Sequence, residues 1–181
     1  MPFPFRPTVV VLASGRGERF VASGGTTHKL KAMLAGKPVL AHTVEAVVAS
    51  GLPWHLESGP HPGMGDAIRA AIEATADAAG WLVLPADLPL IQAETLLLIA
   101  AALAQQTVVV PFCHGQRGHP VGFGAACRTA LLQLSGPGGA ASVIGQFEST
   151  EICVSDMGVV TDIDTVQDLA RAECLYAARS A

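Results

Sequence analysis

Charge is scarce in this sequence. Only 14% of its 181 residues are Asp, Glu, Lys or Arg, and the net charge is −4. A general nucleic-acid surface needs an excess of basic residues that is absent here, so any basic patch must be local. There is no long hydrophobic run either: residues 96–104 form the longest, too short to span a bilayer. The first seven residues, Met1-Pro2-Phe3-Pro4-Phe5-Arg6-Pro7, have neither the basic end nor the apolar stretch of a signal peptide. A cytoplasmic protein is expected. Cysteine is limited to Cys113, Cys127, Cys153 and Cys174, with no CxxC pair and no histidine at zinc spacing, so buried free thiols are expected. Two familiar phosphate-binding signatures are missing as well. GxxxxGK[ST] does not occur, and Phe20 stands where the third glycine of GxGxxG would be.

What is present is a chain half of whose residues are hydrophobic, rich in alanine and glycine. It suits one compact domain over 1–181. Val9-Val10-Val11-Leu12 reads as a strand buried on both faces. It breaks into Ala13, Ser14, Gly15, Arg16 and Gly17, where small residues let a ligand reach the backbone N–H groups. Such a loop can turn successive amides onto one anion, with Arg16, Arg19 and Lys29 adding positive charge. A tight strand–helix turn with solvated arginines would look the same.

Further strands are expected at 81–84, 107–111 and 151–154, with at most a short one at 54–57. Val159-Val160 reads as the end of another apolar strand. Residues 21–27 are flexible in composition. Helices are expected over 38–50 (Leu40, Val44, Val47 and Val48 inward), from Asp66 through Thr75, and over 90–106, 127–134, 140–147 and 166–178. Strands alternating with helices imply an α/β, three-layer fold with a mostly parallel sheet. Right-handed crossovers then put the carboxyl ends of the strands on one edge, where ligands bind. The glycine loop and Asp87 both follow apolar strands and should meet there.

Asp87 stands in Pro85-Ala86-Asp87-Leu88-Pro89, and Asp162 and Asp164 in Thr161-Asp162-Ile163-Asp164-Thr165. Each can be read as a helix cap. Each can equally be a hard oxygen ligand for Mg²⁺, which takes one or two carboxylates together with waters and substrate phosphates.

The order and spacing of Leu12–Arg19, Lys29-Leu30, Gly36–Leu40, Gly63-Met64-Gly65, Pro85–Pro89, Arg117-Gly118-His119-Pro120 and Asp162–Thr165 resemble the MobA-like nucleoside-triphosphate transferases. These lie within the Rossmann-like, glycosyltransferase-A-like nucleotidyltransferases. The GHP and DIDT segments look most like the branch of molybdenum-cofactor cytidylyltransferases. The resemblance implies transfer of a nucleoside monophosphate to a phosphorylated acceptor with release of pyrophosphate. In that scheme Leu12, Ala13, Ser14, Gly15, Gly17 and Arg19 hold the nucleotide, and Lys29 counters the triphosphate charge. Gly63, Met64 and Gly65 border the base. Ala86 marks CTP over GTP. Asp87 and Asp164 hold Mg²⁺, Asp162 being the alternative to Asp164, and Arg117 and His119 face a pterin-type acceptor. A molybdoenzyme or its maturation factor is the implied protein partner. A sugar-phosphate nucleotidyltransferase and a non-catalytic nucleotide- or cofactor-binding carrier or sensor are the competing readings.

The chain also departs from that pattern. The stretch between Gly51 and Gly63 is short where the family has strand, helix and strand, so one sheet edge should be shortened. Residues are inserted between Arg19 and Lys29, Asp66 stands where serine is common, and Pro137 and Ala141 replace an acidic residue and an arginine.

Overall fold

The computed structural model describes residues 5–179, so Met1–Pro4 of the N-terminal reading lie outside the described residues. In chain order the elements are β1 (Thr8–Leu12), α1 (Glu18–Ala22), the hairpin β2 (Met33–Leu34) and β3 (Lys37–Pro38), α2 (Val39–Ser50), β4 (Trp54–Glu57), α3 (Met64–Ala74), β5 (Gly80–Pro85), α4 (Ala93–Leu103), β6 (Val108–Cys113), β7 (Gln116–Arg117), β8 (Val121–Gly124), α5 (Arg128–Leu132), α6 (Ala141–Ile144), β9 (Ser149–Cys153) and α7 (Val166–Arg179). Single 3₁₀ turns occur at Lys29–Lys31, Ala125–Cys127 and Met157–Val160.

The main sheet runs β4-β1-β5-β8-β6, with β7 and β9 also pairing with β6. β1 is parallel to β4 and β5, and β9 is parallel to β6. Side chains alternate between the two faces. Val9, Val11, Leu82, Leu84 and Val109 join one core with Val47 of α2 and Leu96 and Ile99 of α4. Val10, Leu12, Trp81, Val83, Val110 and Phe123 join a second with Ile68 and Ile72 of α3, Leu131 of α5 and Val143 of α6. The three layers are therefore two apolar cores separated by one sheet. Between α2 and α3 the chain forms only β4, so that edge of the sheet is short, as expected.

Several elements differ from the sequence reading, each for a physical reason. β8 is antiparallel to both β5 and β6, so the carboxyl ends of the strands do not all share one edge. The chain returns from β6 through a short loop instead of a helix, and a short connection makes antiparallel neighbours. The amino end of β8, preceded by His119-Pro120, thus opens on the edge where β1 and β5 end.

α4 begins at Ala93, not at residue 90. Asp156 is buried, and its Oδ2 accepts from Gln92 N at 3.0 Å and Thr95 Oγ1 at 2.8 Å, capping the helix from a distant segment. Asp156 Oδ1 also accepts from Gly158 N at 2.8 Å, which turns Met157–Val160 into a 3₁₀ segment where a strand was expected. In α2 the inward positions are Val39, His42, Thr43, Val47 and Ser50, while Val48 is exposed. Pro38 belongs to β3 and precedes the helix. The three inward polar groups of α2 are satisfied: His42 Nε2 donates to Leu34 O (2.7 Å), Thr43 Oγ1 to Ala86 O (2.9 Å) and Ser50 Oγ to Val47 O (2.6 Å). α3 begins at Met64, two residues before Asp66, and α5 and α6 are single turns or little more. Residues 21–22 belong to α1. All four cysteines are free, but Cys153 and Cys174 are exposed; only Cys113 and Cys127 are buried. Among the described residues no helix is long and apolar enough to cross a membrane.

Candidate active site

β1 and β5 end in register, Leu12 opposite Pro85, and Ala86 N donates to Leu12 O at 3.0 Å. The two loops that follow are thereby held side by side. The first opens outward at Gly15, where an added Cβ would meet nothing within 4 Å. Gly17 has φ 68°, a left-handed conformation that favours glycine, and the His28 ring lies 3.1 Å from where its Cβ would be. His28 Nε2 is 2.8 Å from Gly15 O, so this histidine fixes the loop from behind. The sequence reading did not single it out; an isolated histidine before Lys29 carries no pattern.

Lys29 is the centre of the charge arrangement. Its Nζ donates to Asp87 Oδ2 at 2.5 Å and to Asp164 Oδ1 at 2.7 Å, with the lysine side chain only 13% exposed. Burial pulls its pKa down, but the two carboxylates outweigh this and raise it above the ordinary value, so the ammonium is fixed. Arg19 adds a second cation, 2.8 Å from Asp164 Oδ2.

Neither aspartate is a helix cap. α7 is capped by Thr165 and Asp168 together: Thr165 Oγ1 accepts from Asp168 N (3.2 Å), and Asp168 Oδ2 accepts from Thr165 N (2.8 Å), Thr165 Oγ1 (2.7 Å) and Asp164 N (3.2 Å). Burial pushes the Asp168 carboxyl up, but these hydrogen bonds outweigh it and hold it low. The Asp164 carboxylate is left free to face Lys29 and Arg19. At Asp87 the remaining oxygen, Oδ1, is buried with no hydrogen-bond partner among the described residues. A buried carboxylate oxygen without a donor is costly, and a cation beside it would remove the cost. Asp162 lines the same cavity, of about 440 Å³, as Asp87, Asp164, Arg117 and His119. Its carboxyl is pushed up by burial and then by the charges of Asp87, Asp164 and Asp168. These residues fit a hard divalent cation in the manner of Mg²⁺, held by one or two carboxylates and completed by substrate oxygens. They do not fit a self-contained metal centre: among the described residues no group of three or more His, Cys, Asp or Glu could hold an ion.

Gly15, Gly17, Arg19, Lys29, Met64 and Asp164 line an adjoining cavity of about 430 Å³, so the glycine loop and the carboxylates form one continuous cleft. Gly63 and Gly65 do not turn toward it. A Cβ on Gly63 would sit 2.1 Å from Gly136 O, and one on Gly65 2.8 Å from Ser135 N. Their small size serves backbone packing against the 135–137 loop, where Gly65 N also donates to Gly136 O at 2.9 Å; of the three, Met64 faces the cleft. Ala86 is 1% exposed, which leaves its side chain no surface to offer a nucleotide. The shortened 58–63 stretch is held by Glu57, which accepts from His61 Nε2 (2.9 Å), Gly59 N (3.1 Å) and His55 Nε2 (3.3 Å).

Arg117 and His119 stand on the far side of the cleft. Gly118 N donates to Pro111 O and His119 N to Val159 O, at 2.8 and 2.9 Å. The Arg117 guanidinium lies 5.8 Å from the centre of the Phe112 ring and 3.7 Å from Glu151 Oε1. Burial lowers the pKa of the His119 imidazole below its ordinary 6.5, against the opposing pull of Asp87, the Val83 carbonyl and Asp162. The unfolded chain therefore binds more protons just below pH 6.5, so stability rises with pH through that window and is lost as the pH is lowered through it. Urea midpoints at pH 7.5 and 5.5 are expected to differ more for the native protein than for His119→Gln. Equal differences would remove His119 as the source.

The family model for the MobA-like NTP transferase domain matches residues 9–151. The bifunctional protein GlmU of Xylella fastidiosa is 29% identical over 154 residues, 72% of this chain and 32% of that protein. GlmU of Xanthomonas oryzae is 33% identical over 67% of this chain and 30% of its own. The chain thus spans about a third of the length of the curated relatives it matches. Among solved structures, Rv0371c from Mycobacterium tuberculosis superposes with TM-score 0.80 at 22% identity, covering 93% of this chain and 98% of its own. Its complex with manganese gives 0.75 at 21%, covering 92% and 97%. Molybdopterin-guanine dinucleotide biosynthesis protein A from Archaeoglobus fulgidus gives 0.69 at 18%, covering 94% and 98%. At these identities the likeness is one of fold.

Proposed function

Because the chain belongs to the MobA-like NTP transferase family, we propose that it moves a nucleoside monophosphate from a nucleoside triphosphate to a phosphorylated acceptor and releases pyrophosphate. The observation that carries this reading is the Lys29–Asp87–Asp164–Arg19 cluster beside an open glycine loop, with one Asp87 oxygen buried and unpartnered. Asp87 and Asp164, with Asp162 beside them, would hold Mg²⁺, which when bound supplies charge neutralisation at the phosphates. The loop amides at Ala13 to Gly17 bind the triphosphate, and Arg19 and Lys29 turn from the carboxylates to its oxygens. The acceptor phosphate attacks the α-phosphorus in line as the pyrophosphate leaves. An ionised phosphate needs no general base, so positioning and charge do the work.

The finer reading is CTP as donor and a pterin-type acceptor held by Arg117 and His119. A protein named for molybdopterin-guanine dinucleotide biosynthesis shares the fold, which supports a pterin and makes GTP the donor to test against. With Ala86 buried, any preference it sets acts through packing and not through contact. A pyrophosphate-release screen crossing four nucleotides with molybdopterin cofactor and sugar phosphates is expected to respond to CTP and the pterin. Stronger thermal stabilisation by GTP than by CTP, with Mg²⁺ present, would overturn the donor. Stabilisation by nucleotide without pyrophosphate from any pair would point instead to a binding protein. Changing both Arg117 and His119 to alanine should raise the acceptor KM or lower kcat, with nucleotide affinity nearly intact. Collapse of nucleotide affinity alone would place this loop on the donor half.

A further inference from the structure

We infer that the acceptor carries an apolar group of one or two rings, seated in a hydrophobic compartment that opens from the cleft and disfavours polyhydroxylated acceptors. The inference rests on the nucleotidyl-transfer reading above but not on the acceptor being a pterin. A cavity of about 350 Å³ lies between the second face of the sheet and the helices α3 and α6. Its floor is Val83 and Val121, backed by the almost wholly buried Val110 and Phe123, and Met64 and Ile144 flank it. Among the described residues, Arg117 and His119 are the only polar side chains that line it. They, with Met64 and Pro85, also line the carboxylate cavity, so the compartment opens directly onto the reacting edge.

The compartment is built into the sequence. The stretch Ser135-Gly136-Pro137-Gly138-Gly139-Ala140-Ala141 supplies side chains too small to reach the sheet. This loop is held in place from α3: Asp66 Oδ2 accepts from Gly136 N at 2.9 Å, and Arg69 reaches Leu134 O at 3.4 Å. Asp66 and Ala141 are two of the positions at which the chain departs from the family pattern. Here one pins the loop and the other lines the space it leaves. A hydroxyl carried into this compartment would lose its water and find no side-chain partner below the mouth. An apolar ring would lose nothing and gain contact, as apolar cavities accept apolar guests. A pterin would fit only with its hydrogen-bonding edge turned toward Arg117 and His119.

The test measures affinity without turnover. Phenyl phosphate, 1-naphthyl phosphate and glucose 1-phosphate are titrated calorimetrically into the protein holding a non-hydrolysable CTP analogue. The aryl phosphates are expected to bind at least tenfold more tightly than glucose 1-phosphate. Ala141→Phe, grown from an exposed position at the rim, should erase that preference and leave the affinity for the CTP analogue within twofold. Ala140→Leu serves as the second filling variant should Ala141→Phe fail to fold. Equal affinity for all three phosphates, or a folded filling variant that keeps the aryl preference, overturns the inference. Absence of pyrophosphate release with every donor and acceptor would reject the transfer reading instead, since the order of affinities is obtained independently.

Discussion

Asp87→Asn is expected to fold, to melt near the native temperature and to lose on the order of a hundredfold or more in turnover. The substitution keeps the shape and an acceptor oxygen but removes the charge. Lys29 keeps its second partner, Asp164, so the ammonium is not stranded. α4 takes its cap from Asp156, so no helix end depends on Asp87. What disappears is a carboxylate that balances Lys29 in the resting protein and would bind a divalent cation during the reaction. Loss of charge stabilisation at a transition state costs about 3 kcal/mol or more, which sets the hundredfold figure. Asp164→Asn should behave similarly, because it faces both Lys29 and Arg19. Asp162→Asn should be milder. Steady-state pyrophosphate release and a melting curve on each variant check this. A fully active Asp87→Asn rejects the metal assignment, and one that cannot fold makes the aspartate structural.

How much of this was legible in the sequence depends on the range of the interaction concerned. β1, β5 and β6 were legible because strands buried on both faces must be continuously apolar. Asp87 was legible as a site residue because such a strand ends just before it. The antiparallel β8 was not, since Val-Gly-Phe-Gly has the same apolar look in either direction. The start of α4 was misplaced because its cap, Asp156, lies some sixty residues away and leaves no local trace. That Thr165 and Asp168, and not Asp164, cap α7 is visible only in their hydrogen bonds. Gly63 and Gly65 illustrate a different limit. Glycine signals a close backbone approach, but not what approaches, and here it is the 135–137 loop. Lys29 was legible as positive charge near the glycine loop, whereas its two carboxylate partners, 58 and 135 residues distant, are matters of tertiary structure.

Those partners make Lys29→Met the more informative variant of the resting protein. The ammonium neutralises two carboxylates whose side chains are only 14% and 23% exposed. Among the described residues, removing it leaves Asp87 without an ion-pair partner and Asp164 with Arg19 alone. Breaking a buried pair from one side typically costs about 3–5 kcal/mol, and the remaining Arg19 contact places this case near the lower end. The variant should therefore melt well below the native protein in the absence of divalent ions. A cation that binds between the two carboxylates stabilises by mass action, so added Mn²⁺ or Mg²⁺ should restore much of the lost melting temperature. The native protein should respond far less, because its own ammonium already occupies that position. Nucleotide affinity should move the opposite way and fall in Lys29→Met, since the triphosphate loses the cation that would turn toward it. Thermal unfolding of both proteins across a Mn²⁺ series, without and with CTP, measures all of these effects. A Lys29→Met protein whose stability ignores divalent ions would show that Asp87 and Asp164 do not form a cation site, while an unchanged affinity for CTP would remove Lys29 from the nucleotide's surroundings.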